Sequence, residues 1–164
     1  MPAGLVPDNF RNAMAPIASS VTIITTDGPL GPAGVTVSTM CSLSLEPPSL
    51  IVCVHHQSQA LQPILNNRVF AANVLAEDQQ SVAEVFAGRI EEFRNDRFAC
   101  ATWMELATGA PILADALASF DCRLANHTAF GSHVVLIGEV VDLVSNDASP
   151  LIYADQNFHK LNAA

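Results

Sequence analysis

A run of small hydroxylated residues, from position 34 to position 48, is the segment of this chain best suited to hold a ligand. Its hydroxyl side chains are Thr36, Ser38, Thr39 and Ser42. Side chains this small leave the backbone accessible, which suits a flat, polar-edged ligand lying close to the main chain. Met40 and Cys41 offer an apolar, polarizable surface beside the polar one. The alternative is an edge strand whose solvent face carries serine and threonine, and the pattern alone leaves both interpretations open.

The residues His55-His56-Gln57-Ser58 end an apolar strand-like run and open a short helical pattern. Free backbone N–H groups at such a junction bind anions, and the Ser58 hydroxyl can join them around a phosphate. A helix cap is the alternative role for Ser58. The adjacent histidines do not predict a metal site, because successive side chains on a strand point to opposite faces and no Cys, Asp or Glu joins them at ligand spacing.

A third candidate is His133, in the sequence Gly131-Ser132-His133. A lone histidine at the start of a strand is more often structural than catalytic, but this one follows a glycine that lets a ligand approach. His127 and His159 are assigned no role, because the first lies in a predicted loop and the second in a predicted tail. The chain has no Gly-x-Ser-x-Gly elbow and no cysteine with a nucleophile's flanking sequence. So few acid–base groups favour a protein whose cofactor does the chemistry.

The composition is apolar and acidic: 50% of the residues are hydrophobic, 14% are charged and the net charge is -9. A length of 164 residues predicts one domain, spanning residues 1–164. The apolar excess predicts a buried oligomer interface. The 7 Lys and Arg residues cannot form a basic patch, which argues against nucleic acid as a partner. A few backbone amides and basic side chains can still hold an anionic cofactor.

The cysteines and the N-terminal sequence together predict the cellular compartment of the protein. The four cysteines lie far apart without a Cys-x-x-Cys pair, so neither a zinc site nor a redox disulfide is predicted. They are Cys41, Cys53, Cys100 and Cys122. The N-terminus lacks a basic segment followed by an apolar core, so no secretory signal is expected, and no apolar run reaches about 18 residues, so no membrane span is predicted. We therefore expect a reducing cytoplasm.

The hydrophobic patterns predict many short strands and a few helices. Strands are predicted at 21–26, from 33 to a break at 46–48, and at 49–55, 69–75, 116–125, 132–144 and 150–153. Helices are predicted after a cap at Asp8 or Asn9, at 58–66, and at 76–86 with Gly88 as the C-terminal cap. Residues 89–96 and 126–131 are predicted loops. This order predicts an antiparallel barrel with helices packed outside, and any nucleotide must be bound without a Gly-x-Gly-x-x-Gly or Walker loop.

Several ordered motifs between about residue 10 and residue 153 resemble those of the flavin reductase family. They are Phe10-Arg11-Asn12-Ala13-Met14, the segment 34–48, Ala72-Asn73-Val74-Leu75, Phe86-Ala87-Gly88 and Gly131-Ser132-His133. The likeness is strongest to reductase components serving aromatic hydroxylases, such as 4-hydroxyphenylacetate and chlorophenol monooxygenases. The resemblance implies a mainly β fold with flanking helices: a homodimeric split β-barrel of the Greek-key type, with its core at about 10–153 and a polar tail at 154–164.

The activity implied by the resemblance is that of an NADH:flavin oxidoreductase. Such an enzyme reduces FMN or FAD by hydride transfer and supplies reduced flavin to a separate oxygenase component that hydroxylates an aromatic compound. Two alternatives stay open. One is a flavin-binding carrier or sensor without turnover, and the other is a split-barrel flavoenzyme with tightly held FMN that acts on another small substrate.

The resemblance also implies the site residues. The isoalloxazine would be lined by Val37, Ser38, Thr39, Met40, Cys41 and Ser42. The ribityl chain would run along Cys53, Val54 and His55, the phosphate would meet Ser58 and Ala60, and Phe86 and Ala87 would close the site. His133 would be the catalytic residue beside the nicotinamide, with Tyr153 near the same pocket.

Two positions depart from the family pattern. Ser132 stands where the family has an aspartate before the histidine, so a carboxylate's role in orienting His133 is lost or transferred. Relatives often carry arginine after the equivalent of Tyr153, whereas this chain has Asp155 nearby. A carboxylate there would repel the extra phosphate of NADPH, which predicts a preference for NADH.

Overall fold

The computed structural model describes residues 4–164, and strands dominate this part of the chain. The strands are β1 Ser19–Ser20, β2 Thr22–Thr26, β3 Ala33–Val37, β4 Met40–Leu45, β5 Pro48–His55, β6 Val69–Val74, β7 Trp103–Glu105, β8 Pro111–Leu113, β9 Ala118–Phe130, β10 His133–Ser145, β11 Leu151–Ala154 and β12 Asn157–Lys160. The helices are α1 Pro7–Met14, α2 Leu61–Asn67 and α3 Gln80–Phe86, with 3-10 turns at Glu91–Phe93 and Arg97–Cys100. The predicted mainly β class is confirmed, while residues 1–3 of the predicted domain lie outside the described part.

The main sheet has seven antiparallel strands in the order β3-β2-β6-β9-β10-β5-β4. A second sheet pairs β1, β11 and β12, and β7 pairs with β8. Strands β3 and β4 lie at the two edges of the main sheet, and within residues 4–164 no pairing joins them. Strand pairing therefore does not close the predicted barrel. No helix in this same part of the chain is long and apolar enough to cross a membrane.

The core forms where alternating strands and short helices turn their apolar faces together. In β5, the side chains of Leu50, Val52 and Val54 point into the core, while the residues between them are partly exposed. Helix α2 covers this core with Leu61 and Ile64. Each fully buried side chain of this kind stabilises the fold by about 1.5–3 kcal/mol. Because β5 ends at His55, this packing fixes where the chain leaves the sheet.

The β9–β10 hairpin is longer than predicted. The predicted loop at 126–131 is wrong, because β9 continues to Phe130 and pairs with β10 as far as His133. Residues 125–130 are exposed, so they carry polar side chains because they face solvent. The strand pairing continues through them. The turn itself is only Gly131 and Ser132, with Gly131 at φ +56°. The hairpin therefore brings His133 directly beside the end of β5.

The C-terminal region also differs from the prediction. Residues 157–160, predicted as part of a polar tail, form β12 and pair with β11. Asp155 and Gln156 make the turn with φ values of 50° and 61°, the left-handed conformation that a tight hairpin requires. The rings of Tyr153 and Phe158 pack with centroids 5.3 Å apart. The hairpin is anchored because the Asp155 backbone N–H donates to Ala15 O at 2.7 Å.

Each of the three predicted helices is present near its predicted position, but some of the predicted helix ends are wrong. Helix α1 begins at Pro7 after Val6, and no side chain caps it, so the predicted cap at Asp8 or Asn9 is wrong. Helices α2 and α3 begin later than predicted, at Leu61 and Gln80. Gly88 follows α3 at φ +75°, as predicted for a C-terminal cap. The predicted loop at 89–96 contains the first 3-10 turn.

Candidate functional site

A groove of about 730 Å³ lies between β3, the end of β5 and the end of α3. Five predicted site residues line it: His55, Ser58, Ala60, Phe86 and Ala87. Residues 34–36 of β3 form one wall, and the segment from Gly88 to Arg97 forms another. A volume of this size is within the range of about 300–1,000 Å³ found for small-molecule sites.

Two smaller cavities adjoin the groove along β3. One, of about 180 Å³, shares Thr36 and Ala87 with the groove and is also lined by Val37, Ser38 and Tyr153. The other, of about 330 Å³, lies at the opposite end of β3, next to Ala33. We call this second cavity the annex; it shares Gly34, Gln59, Ala60, Arg94 and Arg97 with the groove. The three cavities therefore follow one another along a single strand.

The wall between β3 and α3 is tightly packed. The Thr36 hydroxyl donates to Ala83 O at 2.7 Å and ties the strand to the helix. A Cβ added at Gly34 would stand 2.6 Å from a ring carbon of Phe86, so only glycine lets the strand lie this close. Phe86 is in turn held edge-on by Phe98 and Trp103. The wall is therefore rigid, which suits the orientation of a planar ligand.

The structure separates the predicted hydroxyl run into two parts. Val37 and Ser38 reach the small cavity. Met40, Cys41 and Ser42 instead line an apolar cavity of about 400 Å³ that β4 forms with β5, β9 and β10. Within a single chain, the two parts of the hydroxyl run therefore line different cavities.

Thr39 and Cys53, two further residues considered for the site, are hydrogen-bonded to each other, and Val54 is buried. The Thr39 hydroxyl donates to Cys53 O at 3.0 Å. The side chain of Val54 is fully buried, so only its backbone can face a ligand.

Ser58 does not cap α2, whose N-cap is Ala60 without a side-chain cap, but it forms hydrogen bonds in the turn before that helix. Its Oγ accepts the Ala60 N–H at 3.3 Å, and its own N–H donates to His55 O at 2.9 Å. These bonds fold the chain into a turn between β5 and α2. The hydroxyl proton of Ser58 is not used in them and stays available to a ligand.

His133 belongs to a cluster of three histidines, one of which, His55, lines the groove. The ring of His55, which lines the groove, lies edge-on to the ring of His133 with centroids 5.1 Å apart. The His56 ring stacks on His55 at 4.7 Å. The Gln57 N–H donates to His55 Nδ1 at 3.1 Å, so in neutral His55 the proton is on Nε2. Within residues 4–164 no group of three or more His, Cys, Asp or Glu could hold a metal ion.

Ser132 orients the histidine that follows it. Its Oγ lies 2.8 Å from His133 Nδ1, within hydrogen-bond distance. Its carbonyl accepts the His56 backbone N–H at 2.9 Å, and His56 Nδ1 lies 2.8 Å from the same oxygen. Where the resemblance led us to expect an aspartate, a hydroxyl therefore lies within hydrogen-bond distance of His133 and carries no charge.

Three arginines beside the groove were not predicted as site residues. Arg94 and Arg97 line the groove and the annex, and Arg89 lines the small cavity. Arg97 Nη1 donates to Phe86 O at 3.3 Å, and Arg94 pairs with Glu91 at 2.8 Å on the exposed surface. A signal was available in the sequence, because these three are among only 7 Lys and Arg in a chain of net charge -9. Their guanidinium groups are donors of the kind that bind anions.

Two of the four thiols, those of Cys100 and Cys122, are unsuited to nucleophilic chemistry. Burial, with the nearby Asp121 charge second, raises the pKa of Cys122 to about 12. Burial also raises the pKa of Cys100, although a backbone hydrogen bond opposes this shift. Neither residue lines the groove.

Residues 14–162 match the family model described as a flavin reductase like domain. The chain belongs to the flavin reductase family. One relative is the FMN reductase (NADH) RutF of Variovorax paradoxus (strain S110), 41% identical over 99% of this chain and 92% of the relative. The flavin reductase PheA2 has a similar structure, with a TM-score of 0.89 and 32% identity over 97% of this chain and 100% of the other. BorF, the flavin reductase component of a bacterial two-component tryptophan halogenase, has a TM-score of 0.86 and 30% identity over the same two shares.

These matches confirm the predicted family and the prediction that the chain is an enzyme of the flavin reductase kind. The site fits a flavin in its own right. The groove offers apolar side chains at Val35 and Ile90 for a planar ring, and arginine donors for a phosphate.

Proposed function

We propose that the protein is an NADH:FMN oxidoreductase that releases reduced flavin to a separate oxygenase component. The observation that carries the proposal is the groove along β3, which joins a wall fixed by the close packing of Gly34 on the buried Phe86 ring to the donors of Arg94 and Arg97. Family membership and the relatives' activity as FMN reductases (NADH) support the same function.

The flavin phosphate is proposed to lie at Ser58 and Ala60, within reach of Arg97. The ribityl chain would then run past His55 and the backbone at Cys53 and Val54. Phe86 and Ala87 would cover the ring system, which points toward Val37 and Ser38. Contacts from Thr39, Met40, Cys41 and Ser42 stay a prediction, because one chain places the last three in another cavity.

When bound, flavin and nicotinamide would supply the redox chemistry, a hydride transfer. The chain's own residues hold and orient the two ligands and exclude water, which requires no strong general base. His133 is proposed to position the nicotinamide, with its ring held by Ser132 and by the edge of His55. Tyr153 borders the cavity into which the nicotinamide end would extend.

We propose the separate oxygenase because structural relatives are components of two-component systems. One of them is the flavin reductase component of a tryptophan halogenase. An aromatic compound as the final substrate stays a prediction, as does the use of FAD beside FMN.

We further propose that the chain forms a homodimeric split barrel. Exposed Leu43, Leu45 and Leu143 beside the apolar cavity at β4 support a second copy on this face.

Steady-state oxidation of NADH by the purified protein tests the proposed function, with FMN, FAD and riboflavin varied separately. Saturable dependence on added FMN is the expected result, because the groove would bind and release its flavin. Flavin binding without turnover would instead favour a carrier or sensor. Turnover without added flavin, by a yellow protein, would favour the flavoenzyme with tightly held FMN.

A further inference from the structure

The hairpin of β7 and β8, residues 103–113, lies outside the groove and is fastened to the main sheet by buried side chains. We call this hairpin the strap. Asn73 of β6 accepts the Leu113 N–H with Oδ1 at 2.9 Å and donates with Nδ2 to Thr25 Oγ1 at 3.0 Å. The Thr25 hydroxyl in turn donates to Pro111 O. Asn73 and Thr25 are fully buried, so these bonds are shielded from water and hold β8 in place.

Asp121 of β9 fastens the turn of the strap. Its carboxylate accepts hydrogen bonds from the Thr108 N–H, at 2.8 Å, and from the Thr108 hydroxyl. Thr108 lies in the turn between β7 and β8. Asp121 is fully buried, and within residues 4–164 no basic side chain forms an ion pair with it. Because burial of a carboxylate is costly unless its oxygens are hydrogen-bonded, Asp121 and Thr108 hold each other in place.

The strap carries Trp103, the only tryptophan of the chain. Trp103 pairs with Leu113 across the strap and does not line the groove. Its indole N–H donates to Phe98 O at 2.9 Å, and its ring lies edge-on to the Phe98 ring with centroids 5.0 Å apart. Phe98 follows Arg97 in the same 3-10 turn. Trp103 therefore fixes the backbone from which the Arg97 side chain extends.

We propose that Trp103 is a positioning residue for flavin binding, which holds Arg97 at the place where the flavin phosphate meets the groove. Arg97 lines the groove, whereas its backbone is held from outside the groove by the indole N–H and the ring of Trp103. Asp121 and Asn73 act one step further away, because they hold the strap that carries Trp103. The inference rests on the proposed function, which places the phosphate within reach of Arg97.

The variant Trp103→Phe tests the proposal, because it keeps an aromatic ring and removes the indole N–H. Dissociation constants for FMN and for riboflavin, which lacks the phosphate, are measured by flavin fluorescence. We expect the FMN constant to rise about three- to ten-fold, the value of one lost hydrogen bond, while the riboflavin constant stays unchanged. Asn66→Ala is the matched control, because it removes another side-chain hydrogen bond to a carbonyl, from Asn66 Nδ2 to Gln62 O at 2.8 Å within α2.

A rise of both constants by the same factor would make Trp103 a purely structural residue and overturn the proposal, and so would two unchanged constants. A double-mutant cycle then tests whether Trp103 acts through Arg97. In an Arg97→Gln background, Trp103→Phe should have no further effect on the FMN constant, because the guanidinium group that it positions is gone. A further rise as large as in the wild-type background would contradict action through Arg97.

Thr108→Val tests the strap without changing Trp103, because it removes the hydroxyl that donates to Asp121. We expect the FMN constant to rise relative to the riboflavin constant. The emission of Trp103, recorded without flavin, should also shift to longer wavelength as the indole gains exposure. An unchanged ratio with unchanged emission would show that the strap does not hold Trp103 and would overturn the proposal.

The inference and the proposed function fail in different ways. A wild-type protein that reduces FMN but binds riboflavin as tightly as FMN would overturn the positioning of Arg97 toward a phosphate and leave the proposed function intact. A wild-type protein that binds FMN more tightly than riboflavin, but does not reduce it, would overturn the proposed function alone.

Discussion

At the scale of single residues, His133 and the serine before it should contribute most to the binding of NADH. Replacing His133 with Ala should raise the KM for NADH while leaving the FMN dissociation constant nearly unchanged. Ser132→Ala should raise the KM by about three- to ten-fold, the value of one lost hydrogen bond, because Oγ no longer holds His133 Nδ1 at 2.8 Å. Steady-state kinetics and FMN titration measure the two effects, with exposed His127→Ala as control. Equal loss of NADH and FMN binding would make the histidine structural.

Cys122 should make stability depend on pH in the alkaline range. Its pKa is about 12 in the folded chain against 9.0 for the free thiol. The thiol's contribution is fully present below pH 9.0 and is lost as the pH rises toward about 12, because the unfolded chain releases the proton first. The free energy of unfolding should fall by up to about 1.4 kcal/mol per pH unit more in wild type than in Cys122→Ala. Urea titrations at several alkaline pH values measure both slopes, and equal slopes would refute this assignment.

Asp155 should favour NADH over NADPH. The residue is exposed at the β11–β12 turn, two positions from Tyr153, which borders the small cavity. Asp155→Arg should raise kcat/KM for NADPH relative to NADH by about ten-fold, because a repulsive charge becomes an attractive one. Gln156→Arg, at the neighbouring turn position, tests whether any added positive charge has this effect. A wild-type protein that already prefers NADPH would show that the carboxylate does not select the donor.

At the scale of elements, the contact of β3 with α3 shapes the groove. Gly34→Ala places a methyl group 2.6 Å from the Phe86 ring, which Phe98 and Trp103 prevent from yielding. The substitution should cost about 1–3 kcal/mol of stability and weaken FMN binding, since both residues line the groove. Thermal unfolding and FMN titration check this. Gly4→Ala is the control, because its added methyl meets nothing within 4 Å; equal effects of the two variants would contradict the role of the contact.

The sequence predicted the elements better than it predicted the site. Strands β2, β5 and β6 were found because their apolar or β-branched runs are buried. The end of β9 and β12 were missed because exposed strands carry polar residues, which local patterns assign to loops and tails. Arg94 and Arg97 were missed for a different reason. Their role depends on how the chain after α3 folds back over β3, a distant contact that residue spacing does not encode.

At the scale of the whole molecule, the apolar face at β4 should join two copies of the chain. Leu45 is 84% exposed at the edge of the sheet and lines the apolar cavity there. Light scattering should give twice the mass of one chain for wild type, and Leu45→Asp should shift the population toward monomer. Leu30→Asp, at an exposed leucine in the β2–β3 turn, should leave the mass unchanged. A monomeric wild type would remove the support for the dimer and leave the groove of the single chain intact.

The proposed function requires that this groove bring a nicotinamide and a flavin together, so that the flavin is reduced. Its most direct test is anaerobic mixing of the protein with NADH and FMN, with flavin absorbance followed in time. We expect FMN to be bleached at a rate that rises with protein concentration, and more slowly with His133→Ala at subsaturating NADH. Bleaching no faster than in a mixture without protein would contradict the account.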